Sequence, residues 1–148
     1  MANHLRRQIR EAAATTVTGL STTGARVYQM RAYPLQDAEL PGLLVFTKDE
    51  TAERMTLPAP SIMERRLELV IEAYAKANSD LEDTLDGIAK EVEIAMAANP
   101  GLTGTAKSTT LRSSEVEVQD GAENPIGMLR LVYEVLYFAR ETAPDVGM

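Results

Sequence analysis

The chain has 148 residues, no cysteine, one histidine and a formal net charge of −7. A chain of this length is expected to form one domain over 1–148, burying about 68–70% of the surface its unfolded form exposes and needing no staple. Without thiols there can be no disulfide, thiolate zinc site or cysteine nucleophile, and an acidic chain is a poor general binder of nucleic acid, which needs a basic face.

The first element is predicted to be a helix. Leu5, Ile9, Ala12 or Ala13, Val17 and Leu20 recur at steps of three and four, which places them on one face. Asn3 is the expected N-cap, since its side-chain oxygen can accept an orphan amide of the first turn. Arg6, Arg7 and Arg10 fall on the opposite, solvated face, and Gly19 with the run Ser21, Thr22, Thr23, Gly24 ends the pattern. Short strands follow at 26–30 and 43–47, the second apolar on both sides, as in a strand covered on both faces. Between them, Pro34 and Pro41 fix a loop.

The clearest strand signal spans 62–76. Leu67, Leu69, Ile71, Ala73 and Ala75 alternate with Arg66, Glu68, Val70, Glu72, Tyr74 and Lys76, a period of two that separates an apolar face from a charged one. A second helix is expected from Ser79, with Glu82 completing a capping box and Asp80 and Asp83 complementing the positive end of the dipole. Its stripe is Leu81, Leu85, Ile88, Val92 and Met96, and Asn99, Pro100 and Gly101 stop it. A closing hairpin pairs a strand through Val116 and Val118 with one carrying Leu129, Leu131, Tyr133, Val135 and Tyr137 on one face, around a turn at 120–125. The tail at 141–148 is expected to be disordered. The fold class is therefore α+β: a mainly antiparallel sheet of about five strands with two amphipathic helices on one face, in the order α-β-β-β-α-β-β. No run approaches the about 20 apolar residues of a membrane helix. The charged N-terminus leads into no apolar stretch or cleavage site, so neither insertion nor secretion is expected.

Chemistry is hard to assemble from these residues. His4 is a lone histidine at a helix start and reads as a solvated residue. Asp80, Glu82, Asp83 and Asp86 lack the alternate ligands, central glycine and closing glutamate of a calcium loop. The segment 101–108 mimics a phosphate-binding loop, but Ala106 stands where glycine must precede the lysine, and it runs from helix to strand instead of strand to helix. No acidic pair concentrates at strand ends. Neither an enzyme nor a metal or cofactor site is expected.

What stands out is surface. Val70 and Tyr74 lie on the charged face of the long strand, and Val132, Leu136 and Phe138 oppose the apolar face of the last one. Either loops cover them, or they form the centre of an interface with a charged rim. The stretch 49–61 joins two strands, bears Glu50, Glu53, Arg54, Pro58 and Pro60, and exceeds the usual hairpin connection unless part of it extends the strands into an arm. Met55 and Leu57 would be its apolar anchors. The candidate interaction residues are thus Glu53, Arg54, Met55, Leu57, Arg66, Glu68, Val70 and Tyr74, with the basic Arg6, Arg7 and Arg10 as a second patch.

Three segments carry a resemblance. They are Arg31-Ala32-Tyr33-Pro34-Leu35 with Glu39-Leu40-Pro41-Gly42-Leu43-Leu44-Val45-Phe46, the opening of the second helix from Ala75 to Asp86, and Pro125-Ile126-Gly127 before the last strand. Together with the element order, they resemble the tail terminator proteins of long-tailed phages, also called minor tail protein U, from His4 to about Ala139. The resemblance implies a virion protein at the head-proximal end of the tail, assembled in the host cytoplasm. It implies a self-assembled ring, usually a hexamer, that caps the tail tube, stops its polymerisation and offers a surface for head–tail joining. Its partners would be copies of itself, the tail-tube protein and a head-completion or connector protein. The resemblance implies no membrane partner and no specific nucleic acid beyond the passage of genome DNA that a ring would allow. The competing readings are another head–tail joint such as a neck protein, a small-molecule-binding α+β domain, and an unrecognised hydrolase.

Overall fold

The computed structural model describes residues 3–30, 40–76, 79–119 and 126–148. Helix α1 (Leu5–Thr16) is followed by strands β1 (Val27–Tyr28), β2 (Gly42–Arg54) and β3 (Ile62–Lys76), helix α2 (Leu81–Ala97), and strands β4 (Ser108–Gln119), β5 (Ile126–Arg140) and β6 (Ala143–Gly147). The sheet runs β1-β2-β3-β5-β4, with β6 pairing the end of β5. Among the described residues only β1 and β2 pair in parallel; every other strand pairing is antiparallel. The expected α+β class holds, with six strands.

The alternation in β3 and β5 decides the layering. Leu67, Leu69, Ile71, Ala73 and Ala75 are all buried, and so are Leu129, Leu131, Tyr133, Val135 and Tyr137. They face the apolar stripes of the helices, Leu5, Ile9 and Ala13 from α1 and Leu81, Leu85, Ile88, Val92 and Met96 from α2, in one continuous core. Gly127 is where α2 comes closest to the sheet: a Cβ there would stand 2.6 Å from both methyl carbons of Leu81.

Several local expectations are corrected. His4, not Asn3, caps α1, its Nδ1 accepting the Arg6 amide at 3.0 Å. The helix ends at Thr16, and Val17 and Leu20 belong to the turn that follows, where Thr22 donates from its amide (2.9 Å) and hydroxyl (2.5 Å) to Glu91 of α2. Helix α2 begins at Leu81 with Asp80 in the cap position and no side-chain capping bond, so the expected box at Ser79 does not set its start. Strand β4 begins at Ser108, well before Val116, with an irregularity between Leu111 and Ser113. The expected turn at 120–125 and most of the loop around Pro34 lie outside the described residues.

The tail, expected to be disordered, carries strand β6 in the structure. Strand β6 pairs Ala139 and Arg140 of β5, Gln8 of α1 donates to the Asp145 carbonyl at 2.9 Å, and the Met148 amide donates to Phe138 at 3.2 Å. The reason is geometric. Strand β4 reaches only Leu136 on that side of β5, which leaves the edge of the last residues free for β6 to take.

Candidate functional site

The stretch 49–61 is largely strand. Strand β2 stays paired with β3 through Arg54 opposite Met63, with a bulge between Thr47 and Glu50, so the connection itself is only 55–61. Its base is braced. The Met55 amide donates to the Ile62 carbonyl at 2.8 Å, and Glu141 receives the Ser61 amide at 3.1 Å while its own amide donates to the Ser61 carbonyl at 2.9 Å. Arg54 stands 3.8 Å from the Glu141 carboxylate. Beyond this brace the tip reads Met55, Thr56, Leu57, Pro58, Ala59, Pro60, Ser61, without one charge. Leu57 is 89% exposed and Met55 52%, which makes Leu57 the most exposed large apolar residue among those described.

The outer face of the sheet, away from the helices, is an ionic lattice. Arg66 bonds Glu134 at 2.6 Å and pairs with Glu64 at 2.7 Å, and Arg112 reaches Glu134 at 3.3 Å. These two arginines hold the Glu134 carboxyl below its ordinary range by hydrogen bonding. Farther along, Arg130 donates to Glu72 at 2.8 Å and to Glu115 at 3.0 Å, and the Tyr74 hydroxyl donates to Glu72 at 2.9 Å. A shallow depression of about 450 Å³ lies on this face; of its charged lining residues, Arg66 and Arg112 both pair with Glu134, and Asp49 and Glu68 complete the set.

The expected apolar centre of this face is corrected in one respect. Val70 is fully buried, in register between Phe46 and Val132, and has no surface to offer a partner. It sits in β3, between β2 and β5, with a cross-strand neighbour on each side. Tyr74 is half-buried with its hydroxyl committed to Glu72, whereas Arg66 is exposed and Glu68 partly so. The N-terminal arginines occupy a separate surface on the helix layer. Arg7 pairs with Glu11 at 2.7 Å, Arg10 donates to Gln29 at 3.1 Å, and Arg6 is exposed. The structure thus brings Glu53, Arg54, Met55 and Leu57 together at the tip, places Arg66, Glu68 and Tyr74 along the outer face, and sets Arg6, Arg7 and Arg10 apart from both.

Two features were not read from the sequence. Beneath the start of α1, Arg65 pairs with Glu50 at 3.1 Å, Tyr137 donates to the other oxygen of Glu50 at 2.5 Å, and the Arg65 guanidinium lies 6.0 Å from the Tyr137 ring centroid. The signal was available: Arg65 is in phase with Leu67 and Leu69, and an arginine on a core stripe needs a carboxylate. His4 Nε2 is 3.3 Å from Arg65, and burial, then the charges of Arg6 and Arg65, push the imidazole below its ordinary value. The second feature is a groove of about 360 Å³ between the last turns of α2 and the start of β4, lined by Glu93, Ile94, Met96, Ala97, Leu111 and Tyr133. Burial raises the Tyr133 phenol to about 12, and its hydroxyl has no hydrogen-bond partner among the described residues.

The mimic of a phosphate loop is used up by its own turn. Every amide from Leu102 to Lys107 donates within the chain, including Thr103 to the Asn99 side chain at 3.1 Å and Lys107 to Leu136 at 2.8 Å. Leu102 and Thr103 take left-handed φ values of 46° and 60°, and Leu102 is driven into the core. No group of three or more acidic or histidine side chains is placed to hold a metal among the described residues. Nor, among them, is any helix long and apolar enough to cross a membrane, which says nothing of strands.

A family model for phage minor tail protein U matches residues 4–137, from the helix cap to the end of the core stripe of β5. The chain belongs to the phage minor tail protein U family. As a member it is a structural protein of the phage tail, located in the virion, where it contacts other phage proteins, and it is not an enzyme. Among solved structures it is similar to a chain from the virion of a native gene transfer agent particle, at 13% identity over 92% of each chain with a TM-score of 0.40. No curated protein sequence matches the chain.

Proposed function

We propose that this minor tail protein is the terminator of its tail: a closed ring, a hexamer, that seats on the last ring of the tube and stops further addition. The observation that carries this reading is the tip at 55–61, an uncharged apolar surface held out on a braced hairpin. Leu57 at 89% exposure is surface that a lone particle gains nothing by displaying and that a neighbour would bury. A closed ring needs two different patches per subunit, because like patches pair into dimers and stop there. Glu53, Arg54, Met55 and Leu57 supply one of them, and the outer-face charges of exposed Arg66 and partly exposed Glu68 set its polar rim. The far side of the ring offers the surface for the head-completion or connector protein, at the head-proximal end of a tail assembled in the host cytoplasm. Genome DNA passes through the opening without being read.

The test is co-assembly. Tube protein polymerising alone should give tubes of broad length. Adding this protein at one ring per many tube rings should shorten them and leave it on one end only. Tubes that grow to the same length in a large excess of the protein would rule out termination.

A further inference from the structure

Resting on the ring reading, we infer that the second patch is the groove between α2 and β4, and that it receives the 55–61 tip of the next copy of this chain.

The two surfaces match in chemistry. The groove is lined by Ile94, Met96, Ala97, Leu111 and Tyr133, and Ile94 is 61% exposed with nothing over it among the described residues. The tip carries Leu57 and Met55 and no charge. Pro58 and Pro60 have no amide hydrogen, so this end of the hairpin presents carbonyl acceptors in excess of donors. Tyr133 lines the groove, and its hydroxyl is buried with no hydrogen-bond partner among the described residues. The one charged residue lining the groove is Glu93. Arg54, at the base of the tip and 3.8 Å from its nearest acid, carries the opposite charge to meet it.

The topology makes this contact one between copies. Strands β3 and β4 flank β5 on opposite sides, the tip continues β2 and β3 beyond their paired residues, and Leu57 stands exposed, not seated in its own groove. Tip into groove is therefore heterologous, the kind of contact that closes a ring.

The absence of cysteine permits a direct test. In full-length protein, the double variant Leu57→Cys with Ile94→Cys should, on oxidation, give a ladder of covalent oligomers ending at the ring size. Each single variant should give no species beyond a cross-linked pair. Leu57→Asp and Ile94→Asp each change an exposed residue and should leave folding intact while weakening assembly about tenfold or more. Mixed in equal amounts, they retain one sound tip and one sound groove between them and should form a two-subunit species and no ring. If wild-type protein assembles but both aspartate variants keep its mass and the double-cysteine variant gives no ladder, the tip-to-groove contact is wrong and the ring stands. If wild-type protein stays a monomer at every concentration, the ring reading itself fails and this contact with it.

Discussion

The two faces of the sheet share the same strands and differ in what they rest on. The inner face is closed by helices: Leu67, Leu69, Ile71, Val135 and Tyr137 have no more than 1% of their surface exposed. Its residues are held by what covers them. The outer face is held by its own cross-strand pairs, with Arg66, Arg112 and Glu134 in one cluster and Glu72, Arg130, Tyr74 and Glu115 in another. Periodicity reports which residues share a face. What lies on that face follows from partners elsewhere in the chain, and that is why the two faces answer differently to substitution.

The largest effect belongs to the inner face. Leu85→Ala removes a fully packed side chain from the stripe of α2 and leaves a cavity against the sheet. The expected cost is about 2–5 kcal/mol in urea unfolding. A loss under 1 kcal/mol would mean that α2 is not docked as described. Next comes the most buried ion pair of the outer face. Arg130→Met leaves the Glu72 carboxylate, 4% exposed, with only the Tyr74 hydroxyl as a partner. An unpaired buried charge costs about 3 kcal/mol, reduced here because Arg130 is itself partly solvated. On the same face, Arg66→Met should leave the unfolding midpoint nearly where it is, because the arginine is exposed and its carboxylate partners keep contact with water. Equal effects of the two substitutions would erase the distinction between a buried and a surface lattice.

A third prediction separates the groove from both faces. The Tyr133 phenol titrates near 12 in the folded chain against about 10 when unfolded. The folded state therefore holds its proton where the unfolded state has released it. The stability this contributes is present below pH 10 and is lost as pH rises toward 12, at up to about 1.4 kcal/mol per pH unit. Tyr133→Phe should flatten that alkaline slope. It should also raise the stability of the isolated chain slightly, since it deletes a buried hydroxyl without a partner.

The helix stripes, the alternation in β3 and β5 and the order of elements up to β5 were legible, because each is a local repeat that burial enforces over many residues. Strand β6 was not. A five-residue segment with Pro144 and Asp145 has no strand signature, and it pairs only because β4 stops short of the end of β5. Of the candidate site, the tip was legible in Met55 and Leu57, where apolar residues sit between prolines and charges. The groove was not, since Ile94 and Tyr133 come together only through the crossing of α2 over β5. Val70 misled because alternation assigned it to a charged face without showing how closely its neighbours surround it.

The smallest effect tests the point where the helix layer meets the arm. His4 caps α1 through Nδ1, so a proton taken up there would remove the bond to the Arg6 amide. Its surroundings oppose that proton. Burial, Arg6 and Arg65 lower the imidazole's affinity, and the nearby Glu50 and Asp145 offset them only in part. Because the folded value lies below the unfolded one, about 6.5, the unfolded chain binds the proton first as pH falls. The contribution is then complete above pH 7 and declines as pH falls from about 6.5 toward the folded value. Asparagine caps a helix without titrating. His4→Asn should keep neutral-pH stability close to that of the wild type and flatten this part of the acid limb, by a smaller amount than either the groove or the buried pair. An acid limb unchanged by the substitution would mean that His4 is solvated, as the sequence alone suggests, and that the cluster of Arg65, Glu50 and Tyr137 ends at the sheet without reaching the helix.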